Sequence, residues 1–194
     1  KEAVAVTNHK ITVISTKSPL PISKKNLEAA LGQEIIFIEK EGILSWSQLN
    51  MEVPDIFFQA GWFVQSLLTL GKEVKNNNGK VVLLSDNSRK KGFRQFIGSF
   101  VYRYQYSNLF DSVWVPGDSG YQLMRYFSVP SSKIFKGLYG SNSAVFDPGP
   151  LLTKRKKQLI FVGRLEKIKG IKELISAFNS LHKKDNEWAL FIFG

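Results

Sequence analysis

Cysteine is absent from the 194 residues, which excludes disulfides, thiolate nucleophiles and cysteine-ligated zinc and fits a reducing, cytoplasmic setting. Histidine is nearly absent too. His9 and His182 stand far apart, as ordinary surface or turn residues would, and they leave little for a Ser–His–Asp hydrolase to use. There is no P-loop lysine motif and no G-x-G-x-x-G, so ATP hydrolysis and ordinary NAD binding find no support. No Asp-x-Asp pair occurs, and Glu39-Lys-Glu41, the nearest carboxylate pair, reads as a solvated strand end rather than a cation site. Long apolar runs are missing as well. The most apolar stretch, Ile56 to Leu70, is interrupted by Gln59, Gly61, Gln65 and Ser66, and it is too short to span a bilayer. Lys1 to Lys10 holds no sustained apolar core of the signal-peptide kind. Acidic residues are in deficit: 27 Lys and Arg face 16 Asp and Glu, a net charge of +11. That excess points to anionic partners without choosing among nucleotide sugars, anionic membranes and nucleic acid.

What is present is a chain of 43% hydrophobic and 13% aromatic content, enough for one well-cored domain and part of another. Short apolar runs alternate with helical patterns, which predicts an α/β chain with a mostly parallel sheet. Strands are expected at Ile11 to Ile14, Glu34 to Glu39, Pro54 to Phe58, Lys80 to Ser85, Val113 to Val115 and from Ile134. Helices are expected at Asn26 to Leu31, entered after Pro21 and Ser23, then from Gly61 to near Gly71, and from Gly120 to Phe127. Asn76 to Gly79 reads as a turn. Gly137, Gly140, Pro148, Gly149 and Pro150, followed by Lys154-Arg-Lys-Lys157, mark a linker. The domain boundary is accordingly expected within 148–157, giving domains of 1–150 and 151–194.

Phe161-Val-Gly-Arg-Leu-Glu-Lys-Ile-Lys-Gly170 is the sharpest motif. Leu159 to Val162 read as a buried strand, and Gly163 breaks it. From Gly170, Ile171, Leu174, Ile175, Phe178 and Leu181 recur at helical spacing. Arg164 and Lys169 therefore fall where a strand hands over to a helix N-terminus, whose unpaired N–H groups and dipole favour an anion. A planar Arg fork plus a Lys point charge suits a diphosphate there. On spacing alone, a βα turn with solvated lysines fits equally well.

The run Phe161-Val-Gly163-Arg164-Leu165, then Lys169-Gly170, Leu174-Ile175 and Ala177-Phe178, resembles the donor-site signature of the family 4 (group 1) retaining glycosyltransferases. Pro54-Asp55-Ile56, Phe110-Asp111 to Val115 and Phe127-Ser-Val-Pro130-Ser-Ser-Lys133-Ile134 resemble weaker family segments. Tyr139 to Pro148 stands in place of the interdomain crossing, with only Gly, Phe and Pro in common. The resemblance implies GT-B architecture, with two facing Rossmann-like domains. It implies that Gly163, Arg164, Lys169 and Gly170 bind a nucleotide-sugar diphosphate, and that Arg164 and Lys169 act in catalysis without metal or cofactor. Two departures stand out. Ser85-Asp86-Asn87 replaces a histidine many members carry after strand four, and the acidic Glu-x7-Glu motif has no counterpart before Gly194. The expectation is a fragment of a protein of roughly 350–400 residues, inactive alone: a Rossmann-like N-terminal domain lacking its first strand, plus the first βαβ unit of a second.

Acceptor binding is expected at the carboxyl ends of the N-terminal strands, at Gln59, Gly61 and Trp62 and at Ser85, Asp86 and Asn87. Trp62 either stacks on a sugar ring or packs in the core. Phe93, Phe96, Ile97, Phe100, Val101 and Tyr104 form a helical apolar stripe, and no acidic residue lies between Asp86 and Asp111. The stripe is expected to pack on the sheet. Arg89, Lys90, Lys91, Arg94 and Arg103 remain a candidate contact for an anionic membrane or acceptor. The leading expectation is sugar transfer from a nucleotide-diphosphate sugar to a glycan or lipid-linked acceptor. Its competitors are a non-catalytic basic module for anionic lipid or nucleic acid, and a sugar-nucleotide epimerase. The absence of a nucleic-acid motif weighs against nucleic acid.

Overall fold

Parallel strands require crossover connections of a dozen or more residues, and the spacing of the β-branched runs supplies them. A computed structural model describes residues 10–16, 24–90, 92–140, 149 and 151–194. The chain divides into two compact units, Lys1–Gly140 and Ser141–Gly194. The sequence-based division at 150 falls ten residues later, and residues 141–148 and 150 lie outside the described residues, as do Pro21, Ser23, His9 and Lys91.

In the first unit, β1 (Val13–Thr16) pairs in parallel with β2 (Ile35–Ile38), and α1 (Lys24–Leu31) lies between them in sequence. A four-stranded parallel sheet follows in the order β3 (Ile56–Ala60), β4 (Lys80–Leu84), β5 (Ser112–Val115) and β6 (Ile134–Lys136). Its crossovers are α2 (Gln65–Asn76), α3 (Phe93–Val101) with a π-helical turn over Tyr102–Tyr106, and α4 (Asp118–Tyr126). The fold class is thus the expected one, mixed α/β with parallel, helix-flanked strands. Val81 and Leu83 of β4 and Val113 and Val115 of β5 are fully withdrawn from solvent. They pack with Leu70 and Val74 of α2 and Leu123 and Met124 of α4. Alternation puts Phe57 and Gln59 of β3 inward and leaves Ile56 and Phe58 exposed. Among the described residues no helix is long and apolar enough to cross a membrane.

The loop after β2 is stitched to α2. Trp46 donates from its indole to Leu70 O at 3.1 Å, and its ring meets Phe57 edge-on at 5.4 Å. Thr69 Oγ1 both accepts from Leu44 N and donates to Leu44 O, and Ser66 Oγ donates to Glu39 O at 2.6 Å. These bonds satisfy backbone groups that the loop itself cannot pair.

Two expectations for the first unit need correction, and one for the second, where Leu159 to Val162 forms the expected strand but is not buried: Ile160 is 64% and Val162 77% exposed. Helix α2 runs past Gly71 to Asn76. Gly71 is a packing residue rather than a terminator, because a Cβ there would stand 3.0 Å from Gln59 Oε1 and 3.6 Å from Val81. The helix ends instead at Asn77-Asn78, where Asn78 takes φ 62°. The second correction concerns α3, whose apolar stripe does not pack on the sheet. Phe93, Phe96, Ile97, Phe100 and Tyr104 are all exposed. Its inner side is made of Gly98 and Ser99, and the π-helical turn then carries Tyr102 inward. Tyr102 meets Trp62, Phe110 and Phe127, and burial pushes its hydroxyl pKa up to about 12. The aromatic interior needed there comes from Trp62, Tyr102 and Phe127, leaving the stripe outside.

Asp111 ties the end of the long α3 crossover to β4. Its carboxylate accepts from Lys75 Nζ at 2.8 Å, Val81 N at 2.9 Å and Lys80 Nζ at 3.4 Å. Partial burial pushes its pKa up, but the Lys75 hydrogen bond, the Val81 N–H and the two ammonium charges outweigh it, and the net shift is downward. A carboxylate with a depressed folded pKa contributes stability above its unfolded pKa and loses it as pH falls through the folded one. Asp111→Asn should therefore cost about 1–2 kcal/mol at neutral pH. In urea titrations, the gap from the parent should close below about pH 4, where unfolded aspartate protonates.

Candidate functional site

The second unit is one βαβ motif. β7 (Gln158–Val162) pairs in parallel with β8 (Ala189–Phe193), and α5 (Ile171–His182) is the crossover. The ladder ends where Gly163 N donates to Phe193 O at 3.0 Å, with Gly163 at φ 156°, a conformation side chains rarely adopt. Arg164 and Leu165 follow, and Leu165 lies so close over Gly194 that a Cβ there would fall 2.6 Å from it. A 3-10 turn, Lys167–Lys169, is closed by Lys169 N donating to Glu166 O and Gly170 N to Lys167 O. Gly170 takes the left-handed conformation, φ 68° and ψ 27°, and serves as N-cap of α5. That turn favours glycine, since a β-carbon in the left-handed region costs roughly 1–2 kcal/mol.

All four predicted donor residues, Gly163, Arg164, Lys169 and Gly170, thus fall on one strand-to-helix turn. Among the described residues no side chain caps α5, and a Gly170 β-carbon would approach Glu173 Oε2 at 3.7 Å. The first helical turn, which also carries Glu173, lies at the place where parallel α/β units bind anions. Between Arg164 and Glu173 the sequence sets Arg164, Lys167, Lys169 and Lys172 against Glu166 and Glu173. Arg164 is 65% exposed and pairs with Glu166 at 2.8 Å. The pair is open to water, so its Coulomb energy is small and an incoming anion can displace it. Sequence reasoning missed Glu166, because a pairing two residues apart inside a loop follows no periodic rule.

Residues 146–194 match the family described as Glycosyl transferases group 1. The matched segment covers this βαβ motif and supports a role in glycosyl transfer. No curated protein matches the chain.

In the first unit, the expected acceptor residues gather at the carboxyl ends of β3 and β4, which are paired in register at Ala60 and Leu84. Gly61 takes φ 71° and donates from its N–H to Leu84 O at 3.0 Å. Gln59 is buried under α2, where its Nε2 donates to Gly61 O at 2.9 Å and its Oε1 has no partner among the described residues. Ser85 is buried as well. Its N–H donates to Trp114 O, and its Oγ has no partner among the described residues. Asp86 and Asn87 are exposed. Trp62 is only 7% exposed, and its ring packs against Tyr102 at 5.2 Å and Phe127 at 5.5 Å. Of its two expected roles, the observed geometry is core packing. A small cavity of about 50 Å³ beside Tyr102, Arg103, Phe127 and Lys133 touches no donor or acceptor candidate.

His182 stacks on Phe178 and its Nδ1 meets Trp188 O at 3.1 Å, which holds the α5–β8 loop rather than a ligand. Among the described residues no three His, Cys, Asp or Glu side chains gather to hold a metal. Trp62→Ala should lower the unfolding free energy by about 3–5 kcal/mol, the cost of emptying an aromatic core site. Asp86→Ala and Asn87→Ala should each stay within about 0.5 kcal/mol. Denaturant titration of the three variants separates the packing residue from the solvent-facing ones.

Proposed function

We propose that the chain is part of a GT-B, family 4 glycosyltransferase that takes its sugar from a nucleotide-diphosphate donor. The observation that carries this reading is the β7–α5 turn, where Arg164 and Lys169 flank an uncapped helix start whose Gly170 leaves the backbone approachable. As the bond from the anomeric carbon to the diphosphate breaks, negative charge builds on the leaving oxygen. Fixed cations and N–H dipoles aimed at that charge lower the barrier without a metal. Arg164 supplies a bidentate fork and Lys169 a compact point charge. Transfer with retention of configuration follows from the family likeness of the motif. The acceptor, a glycan or lipid-linked sugar, meets the strand ends at Gly61, Asp86 and Asn87, with Gln59 and Ser85 beneath them.

Glu166 sets the resting state of the turn. It holds Arg164 until the diphosphate replaces it, and the exchange swaps one carboxylate for a more highly charged anion. The two ligands compete for the same guanidinium.

Calorimetric titration with UDP and GDP tests the assignment. Arg164→Ala with Lys169→Ala should weaken binding at least tenfold per residue, as the loss of charge-assisted hydrogen bonds of about 1.5–3 kcal/mol each implies. Glu166→Gln should tighten binding a few-fold by freeing Arg164. Lys183→Ala, beyond the far end of α5, should leave affinity unchanged. Equal binding by the parent and the double variant would rule the diphosphate site out.

A further inference from the structure

Exposed aromatic rings are costly to leave in water, and the outward side of α3 carries a connected series of them. Phe93 is 76% exposed, Phe96 49%, Ile97 47%, Phe100 43% and Tyr104 78%. Phe93 stacks on Phe96 at 6.4 Å, Phe96 meets Phe100 edge-on at 4.9 Å, and Phe100 stacks on Tyr104 at 6.4 Å. The rings thus form an unbroken ladder along the helix and its π-helical turn. The opposite side of the helix is already satisfied, with Ser99 and Tyr102 buried and Gly98 facing Phe127. No further rotation could bury the ladder without exposing Tyr102.

The segment that carries the ladder holds one sign of charge, with no acidic residue between Asp86 and Asp111. Arg94 lies on its flank, exposed and without an ion-pair partner among the described residues. Arg103 sits further along, and its guanidinium donates to Ser128 Oγ. Lys90 precedes the helix, and Arg89 stacks over Tyr126 at 4.9 Å. The first turn of α3 has no acidic residue and, among the described residues, no capping side chain. Cations therefore crowd the positive end of the helix dipole, where an anion would be favoured. Two copies of this chain would bring like charges together on such a face, at a net +11 each. An amphipathic helix with aromatics on one side, cations beside them and no acids fits the headgroup boundary of an anionic bilayer.

We infer that α3 docks this protein on an anionic phospholipid surface, with Phe93, Phe96, Phe100 and Tyr104 inserted and Arg94, Arg103 and Lys90 at the headgroups. The inference stands apart from the diphosphate site, because vesicle binding needs no sugar donor.

Co-sedimentation of the full chain with phosphatidylglycerol-containing vesicles tests it. Binding is expected to mixed phosphatidylglycerol and phosphatidylcholine vesicles, and to be at least tenfold weaker to phosphatidylcholine alone. Phe96→Ser with Phe100→Ser should lower partitioning about tenfold. Arg94→Glu with Arg103→Glu should lower it at least as much, since each cation near such a surface is worth roughly fivefold. All of the substituted side chains are exposed, so the variants should stay folded, which thermal melts check. In Tyr104→Trp, vesicles with brominated acyl chains should quench the added fluorescence relative to the parent. Failure to bind anionic vesicles would overturn the proposal. So would binding that survives Phe96→Ser with Phe100→Ser, or a concentration-dependent dimer, measured by light scattering, that the same substitution abolishes.

Discussion

Parallel pairing constrains everything else in both units. A strand that must run alongside its predecessor in the same direction forces the chain to cross back over the sheet before pairing again. Within each sheet, neighbouring strands consequently release their last residues at the same edge. Gly61 and Ser85 leave β3 and β4 beside one another, tied by the Gly61–Leu84 and Ser85–Trp114 hydrogen bonds. Gly163 leaves β7 at the final rung of its ladder with β8. The polar turns proposed as sites thus lie at carboxyl ends, while the β-branched interiors of β4 and β5 are buried.

The interior of the first unit explains the unusual orientation of α3. Trp62, Tyr102 and Phe127 form a three-ring contact, extended by Phe110 and Tyr106. The Tyr102–Tyr106 π-helical turn supplies two of these rings, and Gly98 and Ser99 bring the helix close. Close packing leaves no room for a second aromatic row. Helical periodicity shows that α3 has an apolar face, yet it does not say which face the sheet will accept. Small residues on the opposite side decided that.

Electrostatics divides into two regimes. Asp111 is a half-sheltered hub whose lysine and backbone partners act together and tie the α3–β5 connection to β4. Arg164–Glu166 and Lys136–Asp118 are open pairs, cheap to form and cheap to exchange. A ligand site benefits from the second kind. In the proposed site, Glu166 would hold the Arg164 guanidinium until a stronger anion displaced it.

The sequence alone determined the α/β class, nearly all of the strands, and the strand-to-helix placement of Arg164 and Lys169. Those features rest on local periodicity and on glycines at Gly163 and Gly170, where backbone conformation restricts the choice of residue. Tertiary structure decided the rest. It placed Gly71 inside α2 by close approach to Gln59, took Trp62 into the core, and turned the Phe93–Tyr104 ladder outward. It also paired Arg164 with Glu166. Each of these depends on which surfaces meet, and residues distant in the chain or irregular in spacing leave no periodic trace of that meeting.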